Sequence, residues 1–252
     1  GADIPKGAPP AAGSSGRTHA ADAAFGADTM AAARAALYRE TGGMTVSKTI
    51  VDRLEAGFGQ GHETYLWDVQ GWIGRDIDKF WWKTEGEGAF GGALESAEVQ
   101  ALWSRAIGPF FDAQAGVRYD IRPEPDRAHA VIGVQGLAPY KFEVDIAAFI
   151  STKGDVTARI EAEYDQRLTQ RLILQPRVEA ELSAQDIPEY GIGAGLVGIE
   201  AGARIGYEFT PQFRPYAGVE WHRKVGDTAD FARAAGEDVD AVRWLVGVRA
   251  WF

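Results

Sequence analysis

From about Thr45 to the end of the chain, apolar and polar residues alternate in twelve stretches. In the last of them Val242, Trp244, Val246, Val248, Ala250 and Phe252 share one face, with Arg249 and Trp251 on the other. A strand sends successive side chains to opposite sides, so one row can meet lipid while the other meets water. A soluble sandwich alternates too, and the composition of the rows separates the two cases. Tyr65, Trp67, Val69 and Ile73, then Phe111 to Ile121 at every second residue, then Tyr140 to Ile150 and Val156 to Tyr164 likewise, carry no charge. The opposite rows are crowded with it: Lys141, Glu143, Asp145; Arg159, Glu161, Glu163; Arg171, Arg177, Glu179, Glu181; Glu200, Arg204, Glu208.

The pattern predicts strands at about 45–59, 62–75, 79–87, 95–107, 110–121, 128–138, 140–151, 155–165, 170–183, 194–208, 212–224 and 238–252. Short connections follow even strands, at Asp76 to Asp78, Gly108-Pro109, Ala138-Pro139, Arg167 to Thr169 and Thr210-Pro211. Longer ones mostly follow odd strands, at Gly88 to Leu94, Arg122 to Arg127, Ala184 to Gly193 and Val225 to Glu237. Bacterial outer-membrane barrels have short periplasmic turns and long outer loops. An even strand number also lets the sheet close, leaving no unpaired edge in lipid. The expected fold is all-β: a twelve-stranded antiparallel transmembrane β-barrel with a short N-terminal helix. Tyr65, Trp67, Trp82, Trp103, Tyr119, Tyr140, Tyr164, Tyr207, Trp221 and Phe252 lie toward strand ends on the apolar rows, where interfacial belts form.

Three residues fit this pattern badly. Asp52 and Arg105 stand on otherwise apolar rows near the expected periplasmic ends, where long side chains can snorkel. Pro176 interrupts a strand that should donate hydrogen bonds, and a bulge is the expected accommodation.

Ahead of the strands, residues 1–26 are rich in Gly, Ala, Pro and Ser and are expected to form a flexible leader. Residues 27–43 predict a short helix, capped by Asp28 or Thr29 and stopped at Gly42-Gly43, placed periplasmically or as a plug. The barrel is expected over 44–252.

Composition limits the remaining possibilities. With 26 Lys and Arg against 36 Asp and Glu, the net charge of −10 argues against nucleic acid and allows cationic ligands. There is no cysteine, hence no disulfide framework or thiolate site. No run reaches the roughly 18 apolar residues of a membrane helix, which says little about a barrel whose lipid face occupies every second residue. No basic-then-apolar export signal stands at the start, as expected of a chain from which it has been removed.

Several unbroken stretches are distinctive: YLWDVQGWIGRDIDKFWWKTEGEG, ALWSRAIGPFFDAQAGVRYD, GVQGLAPYKFEVDIAAF, ARIEAEYDQRLTQRLILQPRVE and VEWHRKVGDTADFARAAGEDV. Together they resemble the copper resistance protein B family of Gram-negative outer-membrane proteins, from about Phe25 onward and including the GADTM stretch. The resemblance implies an outer-membrane barrel acting in copper tolerance and homeostasis. Family members often carry a long His- and Met-rich leader thought to bind copper. Here the leader offers His19 and, further on, Met30.

Copper ions would therefore be the bound or transported species, with outer-membrane lipid around the barrel and a periplasmic copper-binding protein as a candidate partner. Cu(I) favours thioether and thiolate sulfur, while Cu(II) favours imidazole and oxygen. Candidate ligands are His62, His129 and His222, which open or close predicted strands at the outer mouth and share rows with inward polar residues. Met30 and Met44, flanking the short helix, are the candidate sulfur ligands, although methionine also fills apolar gaps. Isolated histidines at strand ends are commonly solvated or hydrogen-bonded, so a shared site and three separate side chains are both open readings.

The inward charges are the most numerous feature. Glu85, Glu87, Glu98, Asp112, Glu143, Asp145, Glu161, Glu163, Glu179 and Glu181 alternate with Arg118, Arg159, Arg171, Arg177, Arg204 and Arg249. Carboxylates lining an open lumen would concentrate cations. The mixed signs favour the alternative, a sealed structural barrel filled by paired charges that docks periplasmic copper-binding partners. No enzyme is expected: Ser47, Ser96, Ser104, Ser151 and Ser183 show no partnership with the histidines in sequence, and no hydrolase or phosphate-binding motif is present. The glycine-rich GFGQG at 57–61 reads as a hairpin turn.

Overall fold

The computed structural model describes residues 19–41, 44–59, 62–122 and 124–252. The strands are β1 Val46–Gly59, β2 His62–Gly74, β3 Asp78–Ala89, β4 Leu94–Ala106, β5 Phe111–Arg122 and β6 Arg127–Ala138. They continue with β7 Phe142–Ser151, β8 Val156–Glu163, β9 Leu172–Ser183, β10 Gly195–Tyr207, β11 Phe213–Lys224 and β12 Asp240–Trp251. A two-residue segment, Gln166–Arg167, continues β8 along the same edge of β9. Each strand pairs antiparallel with the next, and β12 returns to β1 from Ile50↔Trp251 to Phe58↔Trp244. Thr49 and Phe252 complete the seam, exchanging N–H···O bonds of 3.1 and 2.9 Å. The twelve strands thus close on themselves, so every strand has two neighbours.

Alternation in sequence becomes inside and outside in space. On β6, Ile132 is 66% exposed while its neighbour Val131 is 2% exposed. Leu54, Trp103, Val117, Ile146, Ile160, Val178, Ile205 and Trp244 are likewise exposed, a continuous apolar girdle far beyond what a water-facing surface tolerates. Among the described residues no helix is long and apolar enough to cross a membrane, and the apolar girdle lies on the strands.

The three misfits have separate physical explanations. In β1 one extra residue enters between Val51 and Leu54, where β12 advances only from Ala250 to Val248, and this bulge turns Asp52 into the lumen. Asp52 is therefore an inward residue, not a snorkelling one. Arg105 does stay outside, 3.4 Å from Asp78 and over the Trp103 ring. Pro176 makes no bulge: the β8–β9 register is the same on both sides of it, and its carbonyl accepts from Tyr164 N at 3.1 Å. The N–H it lacks is the one that would return to the Tyr164 carbonyl, which is why β8 is interrupted there.

Three connections hold more structure than the pattern predicts, the loop after β9 among them with its 3-10 turn Pro188–Tyr190. The last long loop folds as a helix, α3 Gly226–Ala235 in the chain's numbering of helices, preceded by α1 Asp22–Phe25 and α2 Ala27–Thr41 near the N-terminus. It has Asp227 in its first turn, Arg233 in its last, and Gly236 as a left-handed cap. Its buried face, Thr228, Ala229 and Ala232, packs on β10 and β11. Thr228 Oγ1 accepts from Gly193 N at 2.8 Å, joining the helix to the loop after β9. The turn before β7 is a 3-10 turn, Pro139–Lys141, so Tyr140 and Lys141 precede the strand. Arg171, expected inside, is exposed in the turn before β9.

The described residues up to Thr45 make one unit, and the barrel at Val46–Phe252 is the other. Within the first, α2 is the short N-terminal helix. The expected leader is partly helical, since α1 falls inside 1–26 and its Asp22 pairs with Arg34 at 2.5 Å. Residues 1–18 and Gly42-Gly43, the rest of the expected leader and the expected helix stop, lie outside the described residues.

Candidate functional site in the barrel lumen

The wall formed by β10, β11, β12 and β1 carries glycines facing inward, and long side chains lie flat across them. A Cβ on Gly218 would meet Arg204 Cγ at 2.9 Å, and one on Gly247 would meet Tyr216 Cε2 at 2.9 Å. Over this floor Arg204, 2% exposed, donates to Glu55 Oε1 at 2.6 Å and to Glu220 Oε2 at 2.6 Å. Tyr216 Oη adds a bond to Glu55 at 2.8 Å. Burying these charges is tolerable because each is paired and hydrogen-bonded.

Other ion pairs cross the lumen. Arg159 on β8 reaches Glu85 on β3 at 3.0 Å and Glu98 on β4 at 3.1 Å. It also meets Glu179 at 3.3 Å, while Arg53 on β1 reaches Glu85 at 2.6 Å and Asp68 at 3.1 Å. Nearer the short turns, Lys83 pairs with Asp145, and Arg249 with Asp52 at 3.0 Å and Glu163 at 3.1 Å.

Among the described residues these pairs adjoin two sizeable cavities. One, of about 740 Å³, is lined at its end by Asp76, Gly108 and Phe110 of the short turns. The other, of about 370 Å³, lies at the long-loop end among Arg127, His129, Tyr190 and His222. Arg53, Glu85, Glu98, Phe149 and Arg159 line both, and so form the layer that divides them.

Around that second cavity the loop after β9 is strapped down. Glu189 receives hydrogen bonds from Lys153 Nζ, at 2.9 Å, and from Arg127, and these hold its carboxyl below the usual glutamate range. Arg127 stacks on Tyr190 at 4.5 Å, and Tyr190 Oη donates to the Pro125 carbonyl at 2.6 Å. Burial pushes the Tyr190 phenol up.

Of the predicted ligands, the structure brings His129 and His222 into one cavity, on β6 and β11, nearly opposite in a ring of twelve. His129 Nε2 sits 3.1 Å from Asp120 Oδ2, within ion-pair distance but off hydrogen-bond geometry, and its Nδ1 is buried without a partner. His62 opens β2 at the same rim, paired with Gly59, but its side chain lies outside the described residues. Met30 is half-buried on α2, and Met44 is exposed just ahead of β1. Among the described residues no three His, Cys, Asp or Glu side chains converge as a ready-made metal cage.

The family sequence profile described as "Copper resistance protein B precursor (CopB)" matches residues 45–252. The chain belongs to the copper resistance protein B family. It is 44% identical to copper resistance protein B of Escherichia coli over 81% of this chain and 68% of that protein. It is 43% identical to the copper resistance protein B homolog of Pseudomonas syringae pv. tomato, over 87% and 76% respectively. The NanC porin structure superposes with a TM-score of 0.54 at 12% identity, covering 79% of this chain and 98% of that one, which is a likeness of fold. This family member is accordingly an outer-membrane barrel with a role in copper resistance.

Sequence reading missed two features of the site. Counting by twos places Asp52 outward because it cannot register the bulge in β1. The proximity of Ser151 and His129, cross-strand neighbours in the β6–β7 register, also went unseen. Ser151 Oγ donates to Asp155 Oδ2 at 3.0 Å and makes no bond to His129, so the pair lacks the nucleophile–base link of a hydrolase.

Proposed function

We propose that the barrel, as a non-enzymatic outer-membrane protein, binds copper ions at its outer mouth through His129 and His222 and passes them through the lumen. The observation that carries this reading is His129, whose ring nitrogens are buried without a hydrogen-bond partner beside a cavity that His222 also lines. Imidazole with neighbouring carboxylates suits Cu(II), and Asp120 stands beside His129. Separate, incomplete ligand sets fit a path better than a store, because conduction needs binding strong enough to admit an ion and weak enough to release it. His62 at the same rim is the third candidate. Met30 and Met44 are candidate thioether contacts for Cu(I) in the N-terminal unit.

A second reading draws on the ion pairs that cross the lumen: a sealed barrel whose short turns dock a periplasmic copper-binding protein. Liposomes carrying the purified barrel and an internal copper-responsive dye separate the two. The first reading expects copper entry above empty vesicles, slowed in the His129→Ala/His222→Ala double variant. No entry with wild-type protein, together with retained capture of a periplasmic copper protein, would favour the second; entry unchanged in the double variant would remove the histidines from the path.

A further inference from the structure

We propose that Arg159 is the bar that closes the lumen to ions of every kind, and that releasing its guanidinium from Glu85 and Glu98 opens the way between the two cavities. The inference deepens the transport reading by naming its gate. Three observations converge on this residue. Arg159 is one of five residues that line both cavities. Its bonds run from β8 to β3 and β4, nearly across the ring, whereas Arg204 bonds to Glu55 and Glu220 along one wall. Its Nε is buried without a hydrogen bond, although Glu179 stands 3.3 Å away, so the fork is held chiefly by its two terminal nitrogens.

The surroundings favour a hinged bar over a permanent weld. The Phe149 ring lies 6.0 Å from the Arg159 guanidinium and 4.6 Å from that of Arg118, offering an aromatic face beside the lumen wall. Arg118 also reaches Glu98, at 2.8 Å, so Glu98 keeps a partner when Arg159 leaves. With the guanidinium withdrawn, Glu85, Glu179 and Glu181 would face the channel with less compensation, a lining that attracts cations. A cation entering from the outer cavity would then compete with Arg159 for the same carboxylates.

Planar-bilayer conductance in potassium chloride tests the bar without copper, so a negative result leaves the histidine reading standing. Wild-type protein is expected to conduct little. Arg159→Gln, and separately Glu85→Gln with Glu98→Gln, should each raise conductance several-fold and shift it toward cations in the first case. Arg204→Gln, which alters the wall and not the bar, should stay near wild type. Heat-dependent gel migration reports whether each variant is folded. The proposal is overturned if either folded variant conducts like wild type, or if wild-type protein already conducts as freely as the variants.

Discussion

Asp52 and Arg249 meet at 3.0 Å across the seam between the first and last strands, and a single inserted residue in β1 makes the meeting possible. Gln70 Nε2 also donates to Asp52, at 2.5 Å. The pair therefore ties the closing strand to its neighbour from inside. Asp52→Ala would leave Arg249 with Glu163 and a more distant Glu143, at 3.1 and 3.7 Å. The expected cost is about 1–3 kcal/mol, the penalty for leaving a buried polar partner short of a bond. Urea unfolding in lipid vesicles, followed by tryptophan fluorescence, measures it.

The outer girdle makes a prediction of opposite character. Ile132 projects from the middle of β6 with no inward role. Ile132→Arg should destabilise the barrel in a bilayer by about 2–4 kcal/mol, the depth-dependent cost of a charge on a lipid-facing strand. Ile132→Leu should leave the same unfolding midpoint nearly unmoved.

Pro176 supplies a gain. Because register is kept on both sides of it, Pro176→Ala would place an N–H opposite the Tyr164 carbonyl and heal β8. One added ladder bond should stabilise by roughly 0.5–1.5 kcal/mol. Slow hydrogen exchange at the new residue 176 amide would accompany the gain; a fast-exchanging amide would show the strand still broken.

The loop strap at the outer mouth should be acid-labile. Lys153 and Arg127 bind the Glu189 carboxylate and hold its pKa below that of a free glutamate. A depressed carboxyl pKa means the bond's contribution is complete above the unfolded value near 4.5 and fades as pH falls through the lower, folded value. Residues 186–192 should thus resist protease and hydrogen exchange at neutral pH and lose that protection in strong acid. Glu189→Gln should show the loosened loop at neutral pH as well.

Strand positions and the sidedness of most side chains were legible in sequence because both depend on a local period of two. What escaped depends on insertions or on distant partners. The Asp52 bulge shifts the period by one and leaves no mark in composition. Helix α3 escaped because ten residues between strands resemble a polar loop, although Asp227, the alanines and Gly236 are ordinary helix signals. Arg204 and Glu55 stand 149 positions apart, and closure of the barrel is what brings them together. The same holds for the site: the unpartnered nitrogens of His129 and the reach of Arg159 from β8 to β3 and β4 are properties of the closed lumen.

Crystals soaked in copper and measured at the copper absorption edge test the central claim, that the outer cavity binds copper through His129 and His222. The account predicts an anomalous peak in that cavity, within coordination distance of one or both imidazoles, and its loss in His129→Ala/His222→Ala. Peaks confined to the short-turn cavity or to the Met30 and Met44 region, with the outer cavity blank, would contradict it.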